Sequence, residues 1–264
     1  MIRAGFFVII YLRGEDIMKK CMLSKSYHII GRDVDYNKKL KPSALFSYLE
    51  DIAGLNALEL GIDQDTIAER ANAAWIVSRM RLQMDKYPSW KDDITIETWP
   101  QLPQKYLFER DYVVKAADGE VLGRGTSVWA IIDIDTRKPL PSDAIRVDYR
   151  EIRTERAIDS KSARMAPFGE MVEIAHRPVC YSDIDMNGHV NNSRYLDYIM
   201  DCYPVDTILK HPVKELQINY VNEALPGETV VFYRSDDPSH EKNIYIEGRC
   251  QKDGRIIFKA IIRI

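Results

Sequence analysis

In the stretch YSDIDMNGHVNNSRYLDYIMD, residues 181–201, Asp183, Asp185, Asn187 and His189 occupy alternate positions immediately ahead of an amphipathic segment. In an extended chain alternate side chains point the same way, which would set Asp185, Asn187 and His189 on one pocket wall. A carboxylate, an amide and an imidazole so placed suit water activation and carbonyl polarisation. A helix beginning just beyond them adds the positive end of its dipole, and Gly188 permits close approach of backbone to a ligand. The same residues also suit an ordinary polar turn in which Asp and Asn bond local amides. Spacing alone leaves both readings open. His176, Cys180, His189 and Cys202 lack the spacing of a structural zinc site, and no GxSxG nucleophile elbow occurs in the chain. No metal and no cofactor is therefore expected.

Two helices can position these residues. Leu45, Leu49, Ile52, Ala53 and Leu60 recur near helical spacing, which predicts a helix over 43–60 with Ser43 as N-cap and Gly61 as stop. Tyr195, Leu196, Ile199 and Met200 predict a second over 192–202, with Pro204 beyond its end. After each helix the same signals return in order. RMRLQMDKYPSWKDDITIETW (79–99) parallels ELQINYVNEALPGETVVFY (215–233), with Met80, Leu82 and Met84 matching Leu216, Ile218 and Tyr220. Each copy is followed by a hairpin centred on Asp-Gly, over 111–133 and 244–264. The texture of FSYLEDIA and SRYLDYIM is shared too, so the chain reads as an internal duplication at a period too long for a solenoid.

One helix wrapped by one curved antiparallel sheet satisfies the order found in each half, because the helix buries its apolar stripe on the concave face. The expected fold class is α+β, a double hotdog. Expected boundaries are an N-terminal extension (1–20), an N-terminal hotdog (21–142), a linker (143–168) and a C-terminal hotdog (169–264). The charged segment DAIRVDYREIRTERAIDSKSARMA is read as a solvated connection.

Composition narrows the function. The chain has 264 residues, 45% of them hydrophobic, and a net charge of −3 from 37 basic and 40 acidic side chains. That balance gives no electrostatic footprint for nucleic acid. Cys21, Cys180, Cys202 and Cys250 show neither CxxC spacing nor the density of a disulfide scaffold. Free thiols in a reducing, cytoplasmic compartment are expected. No apolar run approaches the roughly 18 residues needed to span a bilayer; the longest, FFVIIYL, is short even for a signal segment. No membrane association is expected, and the second possible start at Met18 marks residues 1–17 as an upstream extension.

The string DIDMNGHVNNSRYLDYIMD resembles the signature of the acyl-acyl-carrier-protein (acyl-ACP) thioesterases of plant plastids and bacteria, a D-x-D-M-N-x-H-V-N-N pattern before the second hotdog helix. AWIVSRMRLQMDKYPSWKDDITIETW and RDYVVKAADGEVLGRGTSVWAIIDIDTRKPLP resemble the corresponding first-half segments, so the similarity runs from about Tyr27 to the end. The resemblance implies a catalytic set at Asp185, Asn187 and His189, with a further glutamate falling on Glu223. Plant members often carry cysteine directly after that glutamate, where this chain has Ala224, so a cysteine nucleophile there is not required. The implied reaction is hydrolysis of the thioester of fatty acyl-ACP. Glu223 would activate water, Asn187 and His189 would polarise the carbonyl, and Asp185 would orient His189, with Asp185 and Glu223 able to exchange roles.

The resemblance also implies an acyl slot in the first half, for which Leu49, Ala53, Trp75, Val77 and Met80 are candidate lining residues. Plain core is the better default for each, because a buried helix face needs such residues regardless. The implied partner is acyl carrier protein, which is acidic. Arg146, Arg150, Arg153, Arg156, Lys161 and Arg164 offer positive charge, interleaved with Asp148, Glu151, Glu155 and Asp159. The doublets at Lys19, Lys38 and Arg137–Lys138 are equally ambiguous. Acyl-CoA hydrolysis, a hotdog hydratase or dehydratase, and a non-catalytic acyl binder are the alternatives. The binder ranks last, because an apolar binder gains little from four polar groups. A double hotdog satisfies internally the pairing that single hotdogs obtain by dimerisation, which leaves monomer and homodimer both open.

Overall fold

The computed structural model of the protein describes residues 21–147, 152–159, 165–237, 239 and 243–264. The first half opens with strand β1 (Leu23–His28) and helix α1 (Pro42–Leu60). Pro42 occupies the first turn, where its missing N–H costs nothing and its fixed φ is already helical. The start therefore falls one residue earlier than the hydroxyl at Ser43 suggests, and Lys41 is the N-cap. Gly61, at φ +70, closes the helix by donating its N–H to the last carbonyls. Leu45, Phe46, Leu49 and Ile52 form the buried stripe of α1.

After α2 (Gln64–Ala71) come β2 (Ala73–Met84), β3 (Asp93–Pro100), β4 (Phe108–Ala116), β5 (Val121–Asp133) and the short β6 (Pro139–Leu140). The second half contributes β7 (Val172–Pro178), α3 (Arg194–Asp201), α4 (Val205–Lys210), β8 (Glu215–Tyr220), β9 (Thr229–Asp236), β10 (Asn243–Cys250) and β11 (Ile256–Arg263). The path of the sheet is β1-β3-β4-β5-β2-β8-β11-β10-β9-β7, with β6 attached to β5. Read outward from its centre, this is one order written twice. The two copies join where β2 pairs β8, Met80 opposite Ile218 and Leu82 opposite Leu216. Both Asp-Gly hairpins form as expected, β4 with β5 and β10 with β11. The short α2, α4 and β6 were not foreseen. Among them α2 carries the clearest local signal, since Asp63 caps it by accepting from the Thr66 N–H.

The connection between the halves is not wholly solvated. Ile145 and Ile158 are buried, the Trp99 indole donates to the Glu155 carbonyl at 2.9 Å, and the Ala157 N–H donates to Asp111 Oδ1 at 2.9 Å. Apolar residues inside a charged run anchor it to the first-half sheet. Arg153 stacks 3.9 Å over the Trp99 ring and pairs with Glu155, while Arg156 pairs with Glu109 and Asp111. These two arginines brace the fold rather than form a free basic rim. Arg150, Lys161, Arg164, Lys19, Met18 and FFVIIYL lie outside the described residues. Among the described residues no helix is long and apolar enough to cross a membrane.

Candidate active site

Residues 181–191 form a folded-back turn, so extended alternation is not what brings the polar groups together. An isolated bridge pairs Ile184 with Val190, the Asp185 N–H donates to the His189 carbonyl, and the Gly188 N–H donates back to the Asp185 carbonyl. Gly188 sits at φ +82, the left-handed region that suits glycine. Asp183 points away from the others. It is buried, accepts from the Cys180 N–H at 2.7 Å, lies 3.6 Å from the Arg177 guanidinium and sits beside Tyr198 on α3, a structural brace.

Asp185, Asn187 and His189 do converge, and Glu223 joins them from the segment after β8. His189 Nδ1 lies 3.8 Å from Asp185 Oδ1, and its Nε2 lies 3.7 Å from Glu223 Oε1. Both gaps are just beyond hydrogen-bond reach, as catalytic contacts often are before substrate tightens them. Asp185 already accepts from the Asn187 backbone N–H at 2.8 Å, and the Asn187 amide reaches its other oxygen at 3.4 Å. Turn chemistry and a site thus coexist in the same residues. The Ser193 N–H and hydroxyl at the start of α3 both donate to Asn191 Oδ1, so that helix end is partly satisfied within the loop. Ala224 is fully buried, and its N–H donates to the Tyr195 hydroxyl.

The polar groups stand at one end of a cavity of about 1060 Å3 walled by both halves. The same cavity is lined by Glu50, Ala53, Gly54 and Ala57 of α1 and by Trp75, Val77 and Phe108 on the sheet. Of the five lining residues suggested by the sequence, Ala53, Trp75 and Val77 reach the cavity. Leu49 and Met80 do not. Each is about 1% exposed within the continuous core. The Trp75 and Phe108 rings meet edge to face at 4.7 Å, and the Trp75 indole donates to the Ile62 carbonyl, which fixes that wall.

Charged residues at the cavity that were not singled out include Arg137 and Glu50. Arg137 projects from the turn after β5 and pairs with Glu223 Oε1 at 2.5 Å, tying a first-half loop to a second-half carboxylate. Its signal in the sequence was only a basic doublet. Glu50 lies inside, on the stripe of α1 that also carries Phe46, Ala53 and Ala57, and its one legible signal was a charge on an apolar helical face.

The loop 31–41 has the same construction as the loop 181–191. Val34 bridges Leu40, the Asp35 N–H donates to the Lys39 carbonyl, and Lys38 stands at φ +60 where Gly188 stands at +82. Asp33 accepts from the Tyr48 hydroxyl of α1, and Asp183 sits beside Tyr198 of α3. Leu40 donates its N–H to the Pro88 carbonyl, and Val190 donates to that of Ala224. In place of Asp185, Asn187, His189 and Glu223 the first loop holds Asp35, Asn37, Lys39 and Tyr87.

The fold is shared with solved thioesterase structures. An acyl-ACP thioesterase from Bacteroides thetaiotaomicron superimposes with a TM-score of 0.81 at 24% identity, covering 92% of this chain and 97% of that one. The 12:0-ACP thioesterase from Umbellularia californica gives 0.72 at 17% identity, covering 92% and 96%. Residues 20–149 match the acyl-ACP thioesterase N-terminal domain and residues 169–263 the C-terminal domain. The chain belongs to the acyl-ACP thioesterase family, and its architecture is the α+β double hotdog. Among curated relatives, the chloroplastic oleoyl-acyl carrier protein thioesterase of Coriandrum sativum is 27% identical over 214 residues, 75% of this chain. This chain spans 58% of that relative's length.

Proposed function

We propose that the protein hydrolyses the thioester of a fatty acyl chain carried on acyl carrier protein, releasing free fatty acid and the carrier thiol. One observation carries this reading above the others: a carboxylate–imidazole–carboxylate row, Asp185, His189 and Glu223, stands at the polar end of a largely apolar cavity of about 1060 Å3. The acyl chain enters between α1 and the sheet, past Ala53, Val77 and Trp75, and the thioester rests against the loop.

Glu223 is the base. Both Asp185 oxygens face Asn187 donors, whereas Glu223 is 41% exposed at the mouth and meets His189 with the oxygen that Arg137 holds. Glu223 takes a proton from water, the hydroxide attacks the carbonyl carbon, and the C–S bond breaks as the thiolate regains that proton. His189 and Asn187 stabilise the developing oxyanion, and Asp185 keeps the imidazole oriented. A thioester carbonyl is electrophilic enough for this without a covalent intermediate. Buried Ala224 beside Glu223 fits a route with no cysteine nucleophile.

The family membership and the exposed mouth support acyl carrier protein as the partner and the phosphopantetheine arm as the leaving group. Free thiols at Cys21, Cys180, Cys202 and Cys250 support a reducing, cytoplasmic setting. Both cavity walls come from one chain, so a monomer is complete for catalysis and a homodimer is not needed. The test is thiol release from palmitoyl, myristoyl and octanoyl thioesters of carrier protein and of coenzyme A, with Glu223→Ala alongside. Release that is fastest from carrier-protein substrates and disappears in the variant is expected. Absence of release from every substrate by folded protein refutes the reading.

A further inference from the structure

Hydrolysis at the mouth leaves two charged side chains inside the slot without a role, Glu50 on α1 and Arg110 on β4. The Glu50 carboxyl lines the slot together with Asn192, and its Oε1 is buried with no hydrogen-bond partner. Arg110 is 7% exposed and donates to Asn56 Oδ1 at 2.7 Å and to Thr98 Oγ1 at 3.2 Å. An alkyl chain drawn past such groups strips them of water and returns no hydrogen bond. The surrounding hydroxyls do not resolve this. Tyr112 on β4 and Tyr220 on β8 both feel the charge of Glu50, but the Tyr112 hydroxyl pairs with Ser127 and that of Tyr220 donates to the Asn192 carbonyl.

Position along the slot is informative. Glu50 lines the cavity with Asn192, next to the loop, and feels the charge of Asp185, so it stands at the thioester end. Ala53 and Ala57 follow about 4.5 and 10 Å further along the helix axis, where the chain passes small side chains. Desolvation by burial, opposed by the neighbouring Asn192 side chain and with a smaller contribution from the charge of Asp185, pushes the Glu50 carboxyl up to about 7. Near neutral pH a large share of it is the neutral acid, which can donate as well as accept.

We propose that the slot is built for an acyl chain bearing a hydroxyl close to its thioester end, and that Glu50 is the group that recognises that hydroxyl. The inference rests on the hydrolytic reading above and specifies its substrate class. A site that bonds a substrate hydroxyl discriminates strongly against the analogue that lacks it, because its own polar atoms are then left buried and unpaired.

The test compares kcat/KM for 3-hydroxyoctanoyl and octanoyl thioesters of phosphopantetheine in wild-type protein, Glu50→Gln and Glu50→Leu. The wild type is expected to prefer the hydroxyacyl substrate about tenfold or more. Glu50→Gln, which keeps a donor and an acceptor, retains that preference. Glu50→Leu removes it by slowing the hydroxyacyl reaction and quickening the octanoyl one. Equal or faster turnover of octanoyl thioester by the wild type overturns the proposal, as does Glu50→Leu slowing both substrates alike. If folded protein releases thiol from neither, the hydrolytic reading has failed, and calorimetric binding of 3-hydroxyoctanoate against octanoate decides for Glu50. Tighter binding of the hydroxy acid that is lost in Glu50→Leu supports it, and equal binding overturns it.

Discussion

Lys39 and Tyr87 stand in the loop 31–41 where the loop 181–191 presents His189 and Glu223. The two backbones share their main hydrogen bonds, yet the first loop has given its polar groups to structure. Lys39 Nζ donates to Ser89 Oγ at 2.8 Å, the Tyr87 hydroxyl donates to the Val213 carbonyl at 2.8 Å, and the Asn37 amide donates to the Leu209 carbonyl at 2.9 Å. In the second loop neither His189 nitrogen has a hydrogen-bonded partner at its distances of 3.7 and 3.8 Å, and the imidazole faces a cavity. Duplication supplied one loop twice, and the proposed chemistry belongs to the copy whose side chains were left available. The helices show the same asymmetry, since half-buried Glu50 on α1 corresponds to Met200 on α3.

The largest expected effect comes from removing the base from the second loop. Glu223→Gln keeps the size of the side chain and should lower kcat by about 10²–10⁴-fold, the usual contribution of a positioned general base. A Glu223→Gln protein with near-normal turnover would transfer the role to Asp185.

Glu50→Met gives α1 the residue of α3 and should act on stability. The Glu50 carboxyl titrates near 4.5 when unfolded and about 7 when folded, so the folded state binds its proton more tightly. Stability is then lost as pH rises from about 4.5 towards 7 and stays reduced above it, by at most about 3 kcal/mol. Denaturant melts at pH 5 and pH 8 should show this decline in the wild type and a flatter profile in Glu50→Met. An identical pH slope in both would remove Glu50 as its source.

Gly188→Ala is the smallest change. A Cβ there meets no atom within 4 Å, so only the left-handed backbone resists it, at about 1–2 kcal/mol. Lys38 holds the same conformation in the first loop at φ +60, so the variant should fold, melt a few degrees lower and keep its catalytic geometry. A cost above about 4 kcal/mol would mean that the two loops do not share their strain.

Much of this was legible before any coordinates. Alternation in β2 and β8, the Asp-Gly turns and the apolar stripe of α1 are strong local signals, and they gave the helix, the hairpins and the repeat. The motif led to Asp185, Asn187 and His189, but the reason they meet is a turn closed by Ile184 and Val190. That turn hides in the sequence because Asp183 alternates with its neighbours while its side chain is held elsewhere. The Arg137–Glu223 pair spans 86 residues and has no local trace. Leu49 and Met80 carry the same apolar character as Ala53 and Val77, and only packing separates core from cavity. Ile145 and Ile158 were outweighed by the charges around them, which is why the connection read as solvated.

The most direct test of the central claim gives the active loop the side chain of its inactive twin. Thiol release from acyl-[acyl carrier protein] is measured for wild-type protein and for His189→Lys, with melting temperature as the control for folding. The account predicts release by the wild type and a loss of about 100-fold or more in the variant, with the fold intact because Lys39 already occupies this backbone. Equal release by both, or none by a folded wild type, would contradict it.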